Sequence, residues 1–260
     1  MDSNAPVSAE LARRMIGLVD LTRLESTDTT DASEAEAIRA LCRKANTPAG
    51  PVAAVCVHPA WVELADYTLR DAGNRQIVRL ATVANFPEGS GSVDGTVATI
   101  KAALVDGADE IDVVLPWREL TDGDRESVQQ LLAASRMACS NHCMKVILES
   151  GELDEPELIR QASEIAIACG ADFLKTSTGK VPVNATMAAA TIMLGTLRDT
   201  NRKVGFKASG GLRTAQDAAT YLSLAEQMLG TDWIGPDHLR FGASSLLDDL
   251  LAHARSSDTQ

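Results

Sequence analysis

Short β-branched segments alternate with longer amphipathic segments along almost the whole of this 260-residue chain. This alternation is typical of parallel strands that are joined by helices. Eight segments are predicted strands: Pro51–Val57, Val78–Val83, Glu110–Leu115, Met144–Leu148, Phe173–Lys175, Val204–Lys207, a weaker one near Asp232–Ile234, and Leu239–Gly242. Nine are predicted helices: Ser8–Val19 with Ser8 as its cap, Ser33–Ala45, Trp61–Ala72, Val93–Asp106, Arg125–Ser140, Glu155–Cys169, Ala185–Asp199, Thr214–Leu229 and Ser244–His253. This count predicts a TIM (β/α)8 barrel with an extra N-terminal helical segment.

No linker rich in Pro, Gly or Ser divides the chain, so we expect one domain over residues 1–260, with a polar tail that frays from about residue 255. The rival fold is a doubly wound open sheet, because Gly89, Gly91 and Gly95 follow a predicted strand. The dinucleotide fingerprint G-x-G-x-x-G needs its third glycine one residue earlier, where this chain has Asp94. The barrel is therefore favoured.

Charge and composition exclude several classes of function. The chain has 24 Lys and Arg against 36 Asp and Glu, and a net charge of −12 repels nucleic acids and anionic membranes. Aromatic residues make up only 3% of the chain, too few for stacking on single-stranded nucleic acid. Neither a secretory signal nor a membrane-spanning segment is visible, so we expect a cytoplasmic protein.

The residues that usually bind metal ions are not spaced as ligands. The four histidines are dispersed, and Cys139 and Cys143 lack a second pair to complete a zinc site. The odd count of five cysteines indicates reduced thiols rather than disulfides. We therefore expect no metal and no cofactor.

Two lysines, Lys175 and Lys207, stand at the ends of neighbouring predicted strands, where a TIM barrel builds its active site. Two like charges about 4 Å apart at an effective dielectric near 20 repel by about 4 kcal/mol, enough to make one amine neutral. A neutral amine forms a Schiff base with a carbonyl. The alternative for a single lysine is that it reaches solvent or pairs with a carboxylate.

Three late loops are rich in glycine and small hydroxyl residues: Lys175–Lys180, Gly210–Gly211 and Gly242–Ser245. Such loops leave backbone N–H groups free to face an anion, and late βα loops are the usual phosphate site of this fold. Gly179-Lys180 is not a Walker motif, because valine follows where Ser or Thr would bind magnesium. Taken alone, Gly-Gly after a strand is equally consistent with a plain turn.

Six segments together resemble the deoxyribose-phosphate aldolase family: Leu18–Thr22, Thr82–Gly89, Gly107–Val114, Phe173–Lys180, Gly205–Gly211 and Arg240–Ser245. The resemblance spans nearly the whole chain, and its sharpest parts are the two lysine motifs. It implies a TIM barrel and a Schiff-base aldolase that cleaves 2-deoxy-D-ribose 5-phosphate reversibly to acetaldehyde and D-glyceraldehyde 3-phosphate.

The resemblance also implies roles for individual residues. Lys175 would be the Schiff-base nucleophile, Lys207 the cation that lowers its pKa, Asp112 part of a proton relay, and Asp20 a more remote carboxylate that holds Lys207 or the relay. From the residues alone, Asp112 could equally serve only to neutralise the two lysines. The phosphate would be held by Thr178, Gly179, Lys180, Gly210, Gly211, Ser244 and Ser245.

Further residues near the expected site have two interpretations each. Cys56 matches a family cysteine but is by default a packing thiol. Asn85 and Glu149 fit either substrate contacts or structural hydrogen bonds, and Arg213 either adds charge to the phosphate site or is solvated. Several family members end in a tyrosine thought to reach the site; this chain ends in residues 256–260, SSDTQ, which puts a proton step from the tail in doubt.

The expected partners are small aldehydes and a phosphorylated sugar, with no nucleic acid and no membrane, and we expect a homodimer because the family often forms one. Three alternatives stay open. They are another class I phosphosugar aldolase or transaldolase, a metal-dependent aldolase that uses Asp112 and Glu149, and a phosphosugar-binding barrel without catalysis.

Overall fold

The computed structural model describes residues 6–200 and 203–255. Eight parallel strands close a barrel in which each strand pairs with its sequence neighbours and the last pairs with the first. The strands are β1 (Val19–Arg23), β2 (Ala54–Val57), β3 (Arg79–Ala84), β4 (Glu110–Val114), β5 (Cys143–Ile147), β6 (Phe173–Lys175), β7 (Gly205–Ser209) and β8 (Leu239–Ala243). The fold is a TIM (β/α)8 barrel, and the prediction of this fold is confirmed.

Helices connect the strands on the outside of the barrel. They are α1 (Ala9–Ile16), α2 (Ala32–Lys44), α3 (Val62–Asp71), α4 (Val93–Val105), α5 (Trp117–Thr121), α6 (Arg125–Cys139), α7 (Ser150–Leu153), α8 (Pro156–Ala168), α9 (Met187–Asp199), α10 (Ala215–Leu229) and α11 (Leu246–Arg255). Side-chain caps begin several of them: Ser8 accepts from Leu11 N–H, as predicted, and Thr214 forms a capping box with Asp217. In the described ranges, no helix is both long and apolar enough to span a bilayer.

Three of the sequence predictions are wrong. The predicted strand Pro51–Val57 joins two elements, because Pro51 pairs with Asn46 in a small antiparallel sheet and the barrel strand begins only at Ala54. The other two have local causes. The first helix ends at Ile16, because Gly17 caps it, and the following residues form β1 instead of continuing the helix to Val19. The weak strand near Asp232–Ile234 is a 3-10 turn, Thr231–Trp233, which follows Gly230 at φ 92°. The predicted fraying of 256–260 lies outside the described residues.

The apolar residues form two separate cores. The larger one fills the layer between the strands and the helices. The smaller one lies among β2 and β3 and consists of Leu24, Ala54, Cys56, Ala81 and Val83, with Phe86 packed against it. Because strand side chains alternate between the two faces of a sheet, the second set faces the lumen, and the rest of the lumen is left for other residues.

Candidate active site

Three lysines from adjacent strands meet at one aspartate inside the barrel. Asp112 on β4 accepts a 2.8 Å hydrogen bond from each: Lys145 on β5 donates to Oδ1, and Lys175 on β6 and Lys207 on β7 donate to Oδ2. The strand register explains why they meet, because Asp112 pairs with Lys145, and Lys175 pairs with Lys207. Residues paired across a sheet project to the same face. All four residues are at most 2% exposed.

A second group of charges extends this site toward the amino ends of the strands. Asp20 accepts from Lys207 at 2.5 Å through Oδ2 and from Arg240 at 2.6 Å through Oδ1. Arg240 also donates to Glu110 at 3.1 Å, and the other oxygen of Glu110 lies 2.5 Å from the Lys145 Nζ. The seven residues are here named the lumen charge cluster: Asp20, Glu110, Asp112, Lys145, Lys175, Lys207 and Arg240.

The lumen charge cluster holds four basic groups and only three carboxylates. A buried charge without a counterion is costly, so the cluster favours the loss of one proton from a basic group. Lys175 has the fewest partners, since Asp112 is its one carboxylate within ion-pair distance in the described chain. Burial lowers the pKa of Lys175, Asp112 opposes this, and the neighbouring Lys207 lowers it further, with a lowered pKa as the net result. Lys175 is thus the amine that loses its proton most readily.

The other two lysines are shifted in the opposite direction. Burial alone would lower the pKa of Lys207, but the attraction of Asp112 and Asp20 outweighs burial and raises it. The same balance, with Asp112, Glu110 and Asp20 as the attracting groups, raises the pKa of Lys145. Burial disfavours the ionised form of Asp112, yet the three lysines hold the pKa of this carboxyl well below its usual range. A charged Lys207 therefore stands beside a Lys175 that can be neutral.

A cavity of about 220 Å³ opens beside Lys175 at the carboxyl ends of β6, β7 and β8. Its lining includes every residue predicted to hold phosphate: Thr178, Gly179, Lys180, Gly210, Gly211, Ser244 and Ser245. Within residues 6–200 and 203–255, the backbone N–H groups of Gly179, Gly210, Gly211, Ser244 and Ser245 have no acceptor. Free N–H groups along the lining of a small cavity are suited to binding an anion.

Thr178 differs from the rest of this lining, because both of its donors are already engaged. Its hydroxyl donates to Glu149 at 2.5 Å, and its N–H donates to the same carboxylate at 3.2 Å. Burial raises the pKa of Glu149, while the hydrogen bonds from Thr178 oppose the shift. Thr178 thus shapes the loop in this structure, and its neighbours offer the free donors.

Cys56 lies in the apolar wall of the lumen formed by β2 and β3. Its side chain is fully buried, and burial followed by the charge of Asp112 raises the pKa of the thiol to about 11. At neutral pH this group is a protonated thiol with the character of a small apolar side chain.

The other two residues expected near the site have hydrogen bonds in the described ranges only to residues outside the lumen charge cluster. Asn85 donates to the Val114 carbonyl at 2.9 Å and accepts from Gly91 N–H at 2.7 Å, so it ties loops together and does not reach the lumen charge cluster. Arg213 lines the 220 Å³ cavity and is exposed. In the described ranges, no set of three or more His, Cys, Asp or Glu side chains is arranged to hold a metal ion.

Three members of the lumen charge cluster, Glu110, Lys145 and Arg240, are not among the residues predicted from the sequence. A signal for two of them was present. Lys145 stands between Met144 and Val146, and Arg240 between Leu239 and Phe241. A single basic residue inside an apolar strand indicates a buried partner, because a lone buried charge is costly.

Comparison with known proteins agrees with the fold. By its closed barrel and its buried lysines at an aspartate the chain is of the TIM-barrel aldolase class. More particularly, the family model of the DeoC/LacD family aldolases matches residues 14–252, and the chain belongs to this family.

Several solved structures are similar to this chain. A candidate deoxyribose-phosphate aldolase from Toxoplasma gondii ME49 is 26% identical, with a TM-score of 0.87 and 96% of each chain covered. Another from Coccidioides immitis is 28% identical, with a TM-score of 0.77, and covers 91% of this chain and 85% of that one. A tetrameric deoxyribose phosphate aldolase from Aeropyrum pernix, 23% identical with a TM-score of 0.75 over 96% of this chain and 100% of that one, shares the fold.

Proposed function

We propose that the chain is a class I, metal-independent deoxyribose-phosphate aldolase. It would cleave 2-deoxy-D-ribose 5-phosphate reversibly to acetaldehyde and D-glyceraldehyde 3-phosphate. The observation that carries the proposal is the lumen charge cluster, in which Lys175 has a lowered pKa and opens onto a cavity lined with free N–H groups. The family and the relatives named above support the same reaction.

In the proposed mechanism, the neutral amine of Lys175 attacks the C1 aldehyde of the substrate. The carbinolamine loses water to give an iminium ion, and the ionised Asp112, 2.8 Å from the Lys175 Nζ, would hold the water molecule that passes the protons this step requires. Removal of the C3 hydroxyl proton breaks the C2–C3 bond and releases glyceraldehyde 3-phosphate. The remaining enamine takes up a proton at C2, and water then releases acetaldehyde from Lys175.

The two sides of the site fit the two halves of this substrate. The phosphate would bind the N–H groups of Gly179, Gly210, Gly211, Ser244 and Ser245, with Lys180 adding charge. The two-carbon fragment on Lys175 would face the apolar wall that contains Cys56. This wall has no charged acid that could protonate the enamine prematurely. The metal-dependent alternative is disfavoured, because Asp112 accepts from three lysines and Glu149 from Thr178.

The test is to trap the Schiff base. The protein is incubated with acetaldehyde and borohydride, which reduces the imine to a stable ethyl-lysine, and the adduct is located by intact mass and peptide mapping. We expect one adduct, at Lys175, and cleavage of 2-deoxyribose 5-phosphate that resists a chelator. Lys175→Leu abolishes both the adduct and the cleavage. Lys101→Leu, at an exposed lysine on α4, leaves both at the wild-type level. Absence of the adduct in folded wild-type protein rejects the proposal.

A further inference from the structure

Glu149 is a fully buried carboxylate that stands outside the lumen charge cluster. Its side chain is 0% exposed, and in the described ranges it has no Lys, Arg or His within ion-pair distance. A buried carboxylate normally has a cation as its partner. Its backbone is also left-handed, with φ 54°, a conformation that residues other than glycine rarely adopt. Both features are unfavourable, so the carboxylate is held there by some other interaction.

That interaction is with the loop after β6. Both oxygens of Glu149 accept from the Thr178 N–H, at 3.2 and 3.3 Å, and Oε2 accepts from its hydroxyl at 2.5 Å. The hydroxyl oxygen in turn accepts from the Lys180 N–H at 3.1 Å. Because Glu149 can only accept, it fixes the direction in which the Thr178 hydroxyl points. The turn through Gly179, at φ 82°, is thereby closed.

The backbone on both sides of Glu149 is fixed to the end of β6. Leu148 N–H donates to the Lys175 carbonyl, and Ser150 N–H donates to the Thr176 carbonyl, both at 2.9 Å. Glu149 therefore holds the Thr178 turn from a point that is tied to the backbone of the nucleophilic lysine. This arrangement fixes the distance between Lys175 and the loop that lines the 220 Å³ cavity.

We propose that Glu149 is a positioning residue for phosphate recognition. By occupying both donors of Thr178, it aims the Gly179 N–H and Lys180 at the 220 Å³ cavity, and it gives the site its preference for phosphorylated over unphosphorylated sugars. Its own negative charge keeps it from being a phosphate ligand. This inference rests on the proposed function.

The test compares two substrates in Glu149→Gln, where the amide keeps the size of the side chain but cannot accept all three hydrogen bonds. For 2-deoxyribose 5-phosphate we expect KM to rise about 10- to 100-fold, the range for a hydrogen bond to a charged group, with kcat nearly unchanged. For unphosphorylated 2-deoxyribose, kcat/KM stays at the wild-type value, and so does the rate of acetaldehyde trapping at Lys175. The matched control is Glu155→Gln, at the exposed acid that immediately precedes α8 and forms no side-chain cap bond, and it changes none of these.

Thr178→Val tests the same contact from its other side, and it decides the matter where circular dichroism shows that Glu149→Gln is unfolded. We expect the same rise in KM and its reversal in Thr178→Ser. Where Glu149→Gln is folded, adding it to Thr178→Val brings little further change, because the two residues act through one contact. An equal loss with both sugars, a loss of trapping, or an unchanged KM overturns the inference. Wild-type protein that neither forms the adduct nor cleaves the sugar phosphate refutes the proposed function instead.

Discussion

Lys175 and Lys145 occupy the two ends of one buried cluster, and they show how differently the same barrel treats two amines. Both are at most 2% exposed, and each donates a 2.8 Å hydrogen bond to one oxygen of Asp112. Lys145 has two further carboxylates within 4 Å, Glu110 and Asp20, whereas Lys175 has no further one among residues 6–200 and 203–255. The pKa of Lys145 is raised and that of Lys175 is lowered. Burial is common to both, so the surrounding charges decide which amine can be a nucleophile: three carboxylates keep Lys145 protonated, whereas Lys175 has Asp112 and, against it, the charge of Lys207.

The largest effect is expected from removing each amine in turn. Lys175→Leu abolishes turnover but leaves the free energy of unfolding close to wild type, because a neutral amine leaves no carboxylate unpaired. Lys145→Met lowers the free energy of unfolding by about 3–5 kcal/mol, the cost of breaking a buried ion pair. In Lys145→Met the adduct at Lys175 forms slowly at neutral pH and faster at alkaline pH, because Lys175 then becomes the third cation for three carboxylates. Urea unfolding measures the stability, and borohydride trapping measures the rate of adduct formation. Equal losses of stability in Lys175→Leu and Lys145→Met would contradict the proposed difference between the two lysines.

The second prediction concerns Lys207, which donates to both Asp112 and Asp20. Its charge lowers the pKa of Lys175, and the reactive form of Lys175 is the neutral one, so the rate of adduct formation rises as the pH passes this pKa. In Lys207→Met the pKa rises, and the ascending limb of the pH profile moves to higher pH. Each unit of displacement costs about tenfold in rate at a fixed pH below the limb. A profile with the limb unmoved and only a lower plateau would show that Lys207 acts by a different route.

Part of this site could be predicted from the sequence, and the reason for the rest is geometric. Lys175 and Lys207 stand at strand ends beside glycine-rich loops, and both features are local, so they could be found without a structure. Lys145 and Arg240 lie inside strands, and their partners become visible only when the register places Asp112 opposite Lys145. The sequence does not predict β1, because Asp20 interrupts its apolar run.

The third prediction concerns Asp20 and the pH dependence of the free energy of unfolding. Burial opposes ionisation of Asp20, but Lys207, Arg240 and Lys145 together lower its pKa, so its charged form stabilises the folded state. Asp20→Asn therefore lowers the free energy of unfolding at neutral pH. The difference from wild type is constant above about pH 5 and shrinks as the pH falls below that, since the contribution of a depressed carboxyl is lost on acidification. Urea titrations of both proteins at several pH values measure it, and a difference that grows in acid would contradict the charge assignment.

The smallest effect is expected on the apolar side of the lumen, at Cys56. Its pKa is raised to about 11, so at pH 7 about one thiol in ten thousand is ionised, and the group serves as wall rather than as nucleophile. Cys56→Ala removes one sulfur from a packed wall, which costs about 1 kcal/mol of stability and leaves kcat within about twofold of wild type. Steady-state cleavage and trapping at Lys175 give the rates, and iodoacetamide labelling of the wild type at pH 7, followed by peptide mapping, should leave Cys56 unmodified. A large fall in kcat with normal stability would show that the Cys56 thiol transfers a proton in the reaction. The chemistry would then not be confined to the lumen charge cluster.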